Sequence, residues 1–385
     1  MERSEALDFM IKLLKLMLHK EGSDLFITAG FPPAIKIKGK MTPISPKPLS
    51  ASDAKALTHC IMNHKQLKEF EETNECNFAI APEGLSRFRV NAYVQQGSQG
   101  LVIRVIAAEL PNFDKLGLPP VLKEVMMAKN GLIIMVGATG SGKSTSMAAM
   151  IDHRNANSYG HIITLEDPIE YVHAHKNCVV MQREVGVDTK TWEAGLHNTL
   201  RQAPDVIVLG EIRSADIMTY GLEFSQTGHL ALATLHANNA NQAIDRILGF
   251  FPMEAQAKLM QDIAVNLRAI ISQRLVKTVD GGRCAAIEIL LNTPLISDYI
   301  AKGEAASIKP LMAKSRELGM QTFDQSLLEL YKAGKIDYDE ALRNADSQNE
   351  LRLQIKLSSG EDRSHGGLSL QAKEQSEEEN DNDAG

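Results

Sequence analysis

Gly137-Ala-Thr-Gly-Ser-Gly-Lys-Ser144 is the segment of this sequence best equipped for chemistry. It fits G-x-x-x-x-G-K-[ST], follows an apolar run over 131–136 and opens a helical pattern over 144–157. Gly137, Gly140 and Gly142 let backbone N–H groups curl round a phosphate, and the start of the helix adds positive potential. Lys143 is placed to reach the β- and γ-phosphates, and the Ser144 hydroxyl to ligate Mg²⁺. Thr139, Ser141 and Thr145 complete the predicted cradle. The competing reading is an ordinary Gly/Ser turn between strand and helix. Eight matched positions with both flanks in place favour a nucleoside triphosphate.

Hydrolysis needs carboxylates beside such a loop. Val206-Ile-Val-Leu-Gly-Glu-Ile-Arg213 is an apolar strand pattern ending in an acid, the layout of a Walker B strand. Gly210 stands where an aspartate is usual, which leaves Glu211 as the acid. Ile163-Thr-Leu-Glu-Asp-Pro-Ile-Glu170 brings Glu166, Asp167 and Glu170 to a second strand end. Open parallel sheets present such ends to the ligand. Glu166 is the predicted group that positions and deprotonates water, and Glu211 the one that holds the Mg²⁺ shell, partly through water. For Asp167 and Glu170, capping or a solvent-facing charge is as good a reading as function.

Thr227-Gly-His229 and Thr234-Leu-His236 bracket a third apolar run. A lone histidine is usually structural, but two beside a predicted Walker B neighbour point to γ-phosphate sensing, with His229 catalytic and His236 on the nucleotide. A metal site is the weaker reading, because no further Cys or His clusters with them.

These groups act together only if strands carry them to one edge. Residues 131–136, 162–165, 178–181, 206–209, 230–234 and 285–291 read as strands. Helical patterns lie near 144–157, 191–201, 215–226, 241–248 and 254–274. Strands that are apolar throughout and alternate with helices predict an α/β sheet covered on both faces. Before it, helical patterns over 4–20, 52–63 and 65–72 and strand patterns over 24–28, 34–38, 77–81, 87–95 and 100–106 predict a small α+β domain. The predicted organisation is a domain over 1–106, a linker over 107–120 with Pro111, Gly117, Pro119 and Pro120, and a core over 121–292. A helical region over 293–357 and a disordered acidic tail over 358–385 follow.

Net charge is −7, and the tail alone holds eight acids against two bases, so residues 1–357 are nearly neutral. A near-neutral body argues against a nucleic-acid-coating protein. No 18-residue apolar run exists, which predicts no membrane span. Lys12 and Lys15 interrupt the apolar stretch over 10–18, giving an amphipathic helix rather than a signal peptide. Cys60, Cys76, Cys178 and Cys284 are scattered without a C-x-x-C pair, so the expectation is a reduced cytoplasmic protein without a disulfide framework or zinc site.

Taken together, four successive blocks resemble the bacterial secretion-type ATPases: GATGSGKST, ITLEDPIEYVH, VIVLGEIR and TGHLALATLHANNANQAIDRI. The likeness extends into the first hundred residues through SDLFITAGFPPAIKIKG and RFRVNAY. Within that superfamily the chain looks like the type IV pilus retraction branch, PilT and PilU, and GMQTFDQSLLELY (319–331) and ADSQNELRLQIKL (345–357) look like PilU. PilT-like proteins carry an AIRNLIRE helix after an Asn-Thr-Pro turn. Here Asn292-Thr-Pro294 leads into Leu295-Ile-Ser-Asp-Tyr-Ile-Ala-Lys302, without the two arginines and the terminal glutamate. That departure fits an accessory motor working with a PilT-type partner. The extension and secretion branch usually carries a tetracysteine zinc site, which this sequence lacks.

The resemblance implies an N-terminal PAS-like α+β domain and a RecA-like P-loop ATPase domain with a C-terminal helical extension. It implies a homohexamer that holds ATP and Mg²⁺ between its domains and against the next subunit. Arginine fingers would then come from the positions matching Arg87, Arg89 and Arg104. Without the family, alternating arginines on a strand read as a solvated face, and for Arg201 and Arg213, which flank the Walker B strand, a structural ion pair is as good a reading as a functional one. The implied partners are a PilT-type ATPase and the inner-membrane platform protein of the pilus machine, with no nucleic acid, and the implied location is the cytoplasmic face of the inner membrane. The alternatives are an assembly or secretion motor, a RecA-like nucleic-acid translocase, and a non-catalytic module with a vestigial site.

Overall fold

The computed structural model describes residues 2–106 and 110–359. The predicted acidic tail lies outside the described residues from 360 onward, and so do residues 107–109 of the predicted linker.

Period-two alternation builds the first sheet. Strands β1 (Asp24–Ile27), β2 (Ala34–Ile37), β3 (Lys40–Pro43), β4 (Glu75–Ile80), β5 (Phe88–Gln95) and β6 (Ser98–Val105) pair in the order β3-β2-β1-β6-β5-β4. Every neighbouring pair is antiparallel. In β5, Phe88, Val90 and Ala92 are buried while Arg89, Asn91 and Tyr93 face the other way. Helix α1 (Arg3–His19) lays Ala6, Met10, Leu13, Leu14 and Met17 on that core, the 3–4 spacing of one helical face. Capping boxes start α2 (Ala51–Cys60) at Ser50 and α3 (His64–Thr73) at Asn63. Strand β3 escaped the sequence reading because its four residues are largely exposed and carry no apolar alternation.

The second sheet contains β7 (Gly131–Val136), β8 (Gly160–Glu166), β9 (Cys178–Glu184), β10 (Val206–Leu209), β11 (Leu230–Leu235), β12 (Leu267–Lys277) and β13 (Arg283–Leu291). Their order is β13-β12-β7-β11-β10-β8-β9, parallel except for the β12–β13 pair. All six residues of β7 are buried. Ile133 and Met135 pack under α4 (Val121–Met126) and α5 (Lys143–Asn157). Leu132, Ile134 and Val136 face the opposite layer of α6 (Trp192–Thr199), α7 (Ala215–Gln226), α8 (Ala240–Leu248) and α9 (Met253–Asn266). That layer continues into α10 (Pro294–Lys302) and α11 (Ala305–Lys314). A strand sandwiched this way has no polar face to alternate with, which is why it reads as one apolar run.

One expectation fails here. The helical pattern predicted over 254–274 stops at Asn266, and the chain then runs as β12 alongside β7. LRAIISQRLV is apolar enough for either state, and the open edge of β7 decides for strand. Beyond β13, α12 (Phe323–Lys332), α13 (Tyr338–Asn344) and α14 (Gln348–Ser359) bury Phe323, Leu327, Ala341, Leu351 and Ile355 in a smaller core against Val276 and Ala286. Helix α14 runs to Ser359, past the predicted end of the helical region at 357.

Candidate active site

Parallel registry brings the chemistry to one edge. β8, β10, β11 and β7 are consecutive neighbours, with Leu165 beside Leu209 and Leu235 beside Val136. Their C-terminal ends therefore deliver Glu166, Gly210 with Glu211, His236 and the phosphate loop side by side. Thr139, Gly140, Lys143 and Ser144 face Glu166, Glu211 and His236 across a cleft of 350 Å³.

The loop is held from below. Gly142 caps α5 at φ +85°, and a Cβ there would lie 2.7 Å from Gln273 Nε2. The Gln273 amide donates to Ser141 O at 2.8 Å and accepts from Ser146 Oγ at 2.7 Å. Lys143 Nζ donates to the loop carbonyls of Gly137 (2.7 Å) and Ala138 (2.9 Å). Burial pulls its ammonium below the usual lysine range, while Glu211 and Glu170 oppose the shift. Ser141 Oγ is buried within the loop with no hydrogen-bond partner among the described residues.

Glu166 ends β8. Its Oε1 accepts from Thr164 Oγ1 (2.6 Å) and Gln182 Nε2 (3.1 Å). Burial raises its pKa, and those two bonds only partly offset the rise. Glu211 is gripped from two sides: Arg213 donates to Oε2 at 2.8 Å, and His236 Nε2 lies 3.1 Å from Oε1. The other ring nitrogen of His236 lies 3.2 Å from Gly137 O, so one imidazole bridges the phosphate loop and the Walker B acid. A carbonyl only accepts, so Nδ1 is the donor of that bond.

The backbone is crowded at Gly210, where an aspartate is usual. A Cβ on Gly210 would sit 3.1 Å from Glu166 Cα and Leu165 O and 3.2 Å from the Trp192 ring. The acid of this strand end is Glu211, one residue later. Arg213 also reaches Asp167 at 3.2 Å, which makes it an ion-pair residue of the site rim.

A second cleft of 790 Å³ opens on the other side of the same loop. Gly142, Thr145 and Ser146 line it together with Asp114, Gln273 and Arg283. Its size suits a base and ribose. Sequence reasoning missed this wall. Gln273 and Arg283 come from a hairpin whose first strand reads as helix, and Asp114 from a segment that reads only as linker.

Two sets of predicted residues lie elsewhere. His229 is displaced from the site: its carbonyl accepts from Gly131 N at 3.1 Å, beside the start of β7. It thus stands a full strand, ~20 Å, from the phosphate loop. Its ring meets Thr227 Oγ1 and Phe224 O, away from the cleft that holds the other predicted groups. The three arginines also stay out of this chain's cleft. Arg104 Nε is spent on Asp24 at 2.7 Å, its register partner across β1–β6. Arg89 is the register partner of Arg104 across β5–β6. Arg87 lies 3.9 Å from Glu184.

The Type II/IV secretion system protein family matches residues 53–351. The type IV pilus ATPase PilU of Pseudomonas aeruginosa is 55% identical over 355 residues, covering 92% of this chain and 93% of that protein. The PilT retraction ATPase of the same organism is 40% identical, covering 87% and 97%. The crystal structure of the pilus retraction motor PilT with bound ADP superposes with a TM-score of 0.83 at 38% identity, over 89% of this chain and 98% of that one. The chain therefore belongs to the Type II/IV secretion system protein family, in its PilT/PilU type IV pilus retraction ATPase branch, and is an ATP-hydrolysing enzyme.

Proposed function

We propose that this enzyme powers type IV pilus retraction as a PilU-type accessory motor, acting with a PilT-type ATPase on the inner-membrane platform of the pilus machine. The observation that carries the reading is the cleft in which the phosphate loop, Glu166, Glu211 and His236 converge. The α10 segment, Leu295-Ile-Ser-Asp-Tyr-Ile-Ala-Lys302, lacks the arginines of the PilT pattern and supports the accessory role. The working unit in this reading is a homohexamer at the cytoplasmic face of the inner membrane. Its N-terminal domain is 1–106, its linker 107–120, its ATPase core 121–292 and its helical region 293–357.

ATP lies across the phosphate loop, base and ribose in the larger cleft and phosphates in the smaller. Lys143 exchanges its two carbonyl partners for phosphate oxygens, a short swing because both carbonyls belong to the loop. Glu166 takes the proton of the attacking water. A base whose pKa is raised by burial does this better than an ordinary surface carboxylate. His236 links the loop to Glu211 and so registers what the loop holds. Ser144 and Glu211 offer the few hard oxygens that suit Mg²⁺ carried mainly by phosphates and water, and the ion would neutralise developing phosphoryl charge. Arg104, with its side chain 68% exposed, and Arg89 beside it are the finger candidates for the next subunit.

The test is ATP turnover and twitching motility of Lys143→Ala and Glu211→Ala strains. Turnover should fall by roughly a thousandfold or more and PilU-dependent motility with it. Full motility on a dead site would remove the motor role. Measuring turnover with and without the PilT-type partner separates an accessory motor from an autonomous one.

A further inference from the structure

The end of β9 stands behind the acidic loop and approaches the segment that leads into β5 of the six-stranded sheet. Glu184, only 5% exposed, is the register partner of Glu166 across the β8–β9 pair. Val185 N donates to Glu166 O at 2.9 Å. One Glu184 carboxylate oxygen accepts from Ile169 N at 3.3 Å, inside the loop that leaves Glu166. Two residues earlier, on the same face of the strand, Gln182 donates to Glu166 Oε1 and to Tyr171 O. The two side chains hold the loop at both of its ends.

Glu184 also has a partner outside its own sheet. Arg87, which leads into β5, places its guanidinium 3.9 Å from the carboxylate oxygen that receives Ile169 N. Arg87 Nε is buried and has no hydrogen-bond partner among the described residues. Burial raises the Glu184 carboxyl and the Ile169 bond lowers it, and both Arg87 and Arg89 favour its charged form. A buried carboxylate is costly without a cation, and an ion pair at 3.9 Å tightens readily if the two sheets move closer.

We propose that Glu184 is a positioning residue that latches Arg87 to the loop after Glu166, so that approach of the two sheets sets the aim of Glu166 within the same chain. This rests on the reading of Glu166 as the hydrolytic base. It gives Arg87 a role in its own subunit, distinct from a finger directed at the neighbour's phosphate. Glu184 does not line the cleft, so it acts through the loop and not on the nucleotide.

The experiment is a double-mutant cycle on steady-state ATP turnover of the full chain, using R87Q, E184Q and the pair, with E166Q as reference. E184Q keeps an acceptor for Ile169 N while removing the charge, so a folding loss is not built into it. Each single variant should lower kcat by roughly ten- to a hundredfold with KM for ATP changed little, because only the aim of the base is disturbed. The pair should be no worse than the weaker single, because the latch is already open. Multiplying losses, or wild-type kcat in E184Q, overturn the proposal. Wild-type turnover in E166Q instead overturns the underlying reading of the base. Should R87Q fold poorly, R87K is expected to recover part of kcat, and full loss in R87K with a normal melting temperature points to a finger and against the latch.

Discussion

At the scale of the residue, the site works by placing ordinary groups in unusual surroundings. Glu166 is the clearest instance. Burial raises its pKa, and the Thr164 and Gln182 donors hold the rise in check because they bond the charged form. In the proposed function Glu166 is the base, and a base must be ionised to accept a proton, so turnover should fall as pH drops through its pKa. Gln182→Ala removes one restraining donor and should therefore move the acid limb of the kcat–pH profile to higher pH. A limb that stays put, or moves down, shows that another group titrates. The motifs alone nominate Lys143, Ser144, Glu166 and Glu211, because phosphate and water chemistry restrict which residue types can stand there, and the fold brings the four to one cleft. They do not reveal why Gly210 replaces an acid. The crowding of that position by Leu165, Glu166 and Trp192 is visible only in the fold, and no local pattern encodes it.

At the scale of the element, β12 matters beyond its share of the sheet. It places Gln273 beneath the phosphate loop, bonded to Ser141 O and Ser146 Oγ. Gln273→Ala strips both partners and leaves a buried hydroxyl and a carbonyl to find substitutes. The expected cost is about 1–3 kcal/mol of loop order, read as a rise in KM for ATP of roughly tenfold with a smaller change in kcat. An unchanged KM would show that the loop holds itself. Strand β12 was also where the helical reading broke down. An apolar run of this kind fits either period, and its state is fixed by the vacant edge of β7, more than a hundred residues earlier in the chain. The other inner strands were legible because burial on both faces admits only apolar residues.

At the scale of the whole molecule, acid sensitivity follows from what the second sheet encloses. His173, in the loop between β8 and β9, is 6% exposed, and burial lowers its pKa from 6.5 to about 4. The folded chain binds its proton less readily than the unfolded chain does. Stability is therefore intact above about 6.5 and is lost progressively down to about 4. Between pH 7 and pH 5 this histidine should remove on the order of 2 kcal/mol. His173→Asn should flatten the fall by that amount in denaturant titrations at the two pH values, and an equally steep fall would assign the acid sensitivity elsewhere. The latch between Arg87 and Glu184 belongs to this scale too, since it depends on how the two sheets meet.

The sequence by itself determined the chemistry and the family. A phosphate loop, a Walker B acid and an acidic box are short, their residue types are dictated by phosphate, water and metal, and the blocks occur in one order. It also determined the strands buried on both faces. Only the tertiary structure decided which of the candidates meet. His229 and His236 are separated by one strand, and the same strand carries one to the cleft and the other to the far edge. Arg87, Arg89 and Arg104 lie in or beside one sheet, yet Asp24, 80 residues from Arg104, and Glu184, 97 residues from Arg87, claim two of them. Proximity between distant segments is a product of strand order and register, and those are settled by packing the whole chain rather than by any stretch of it.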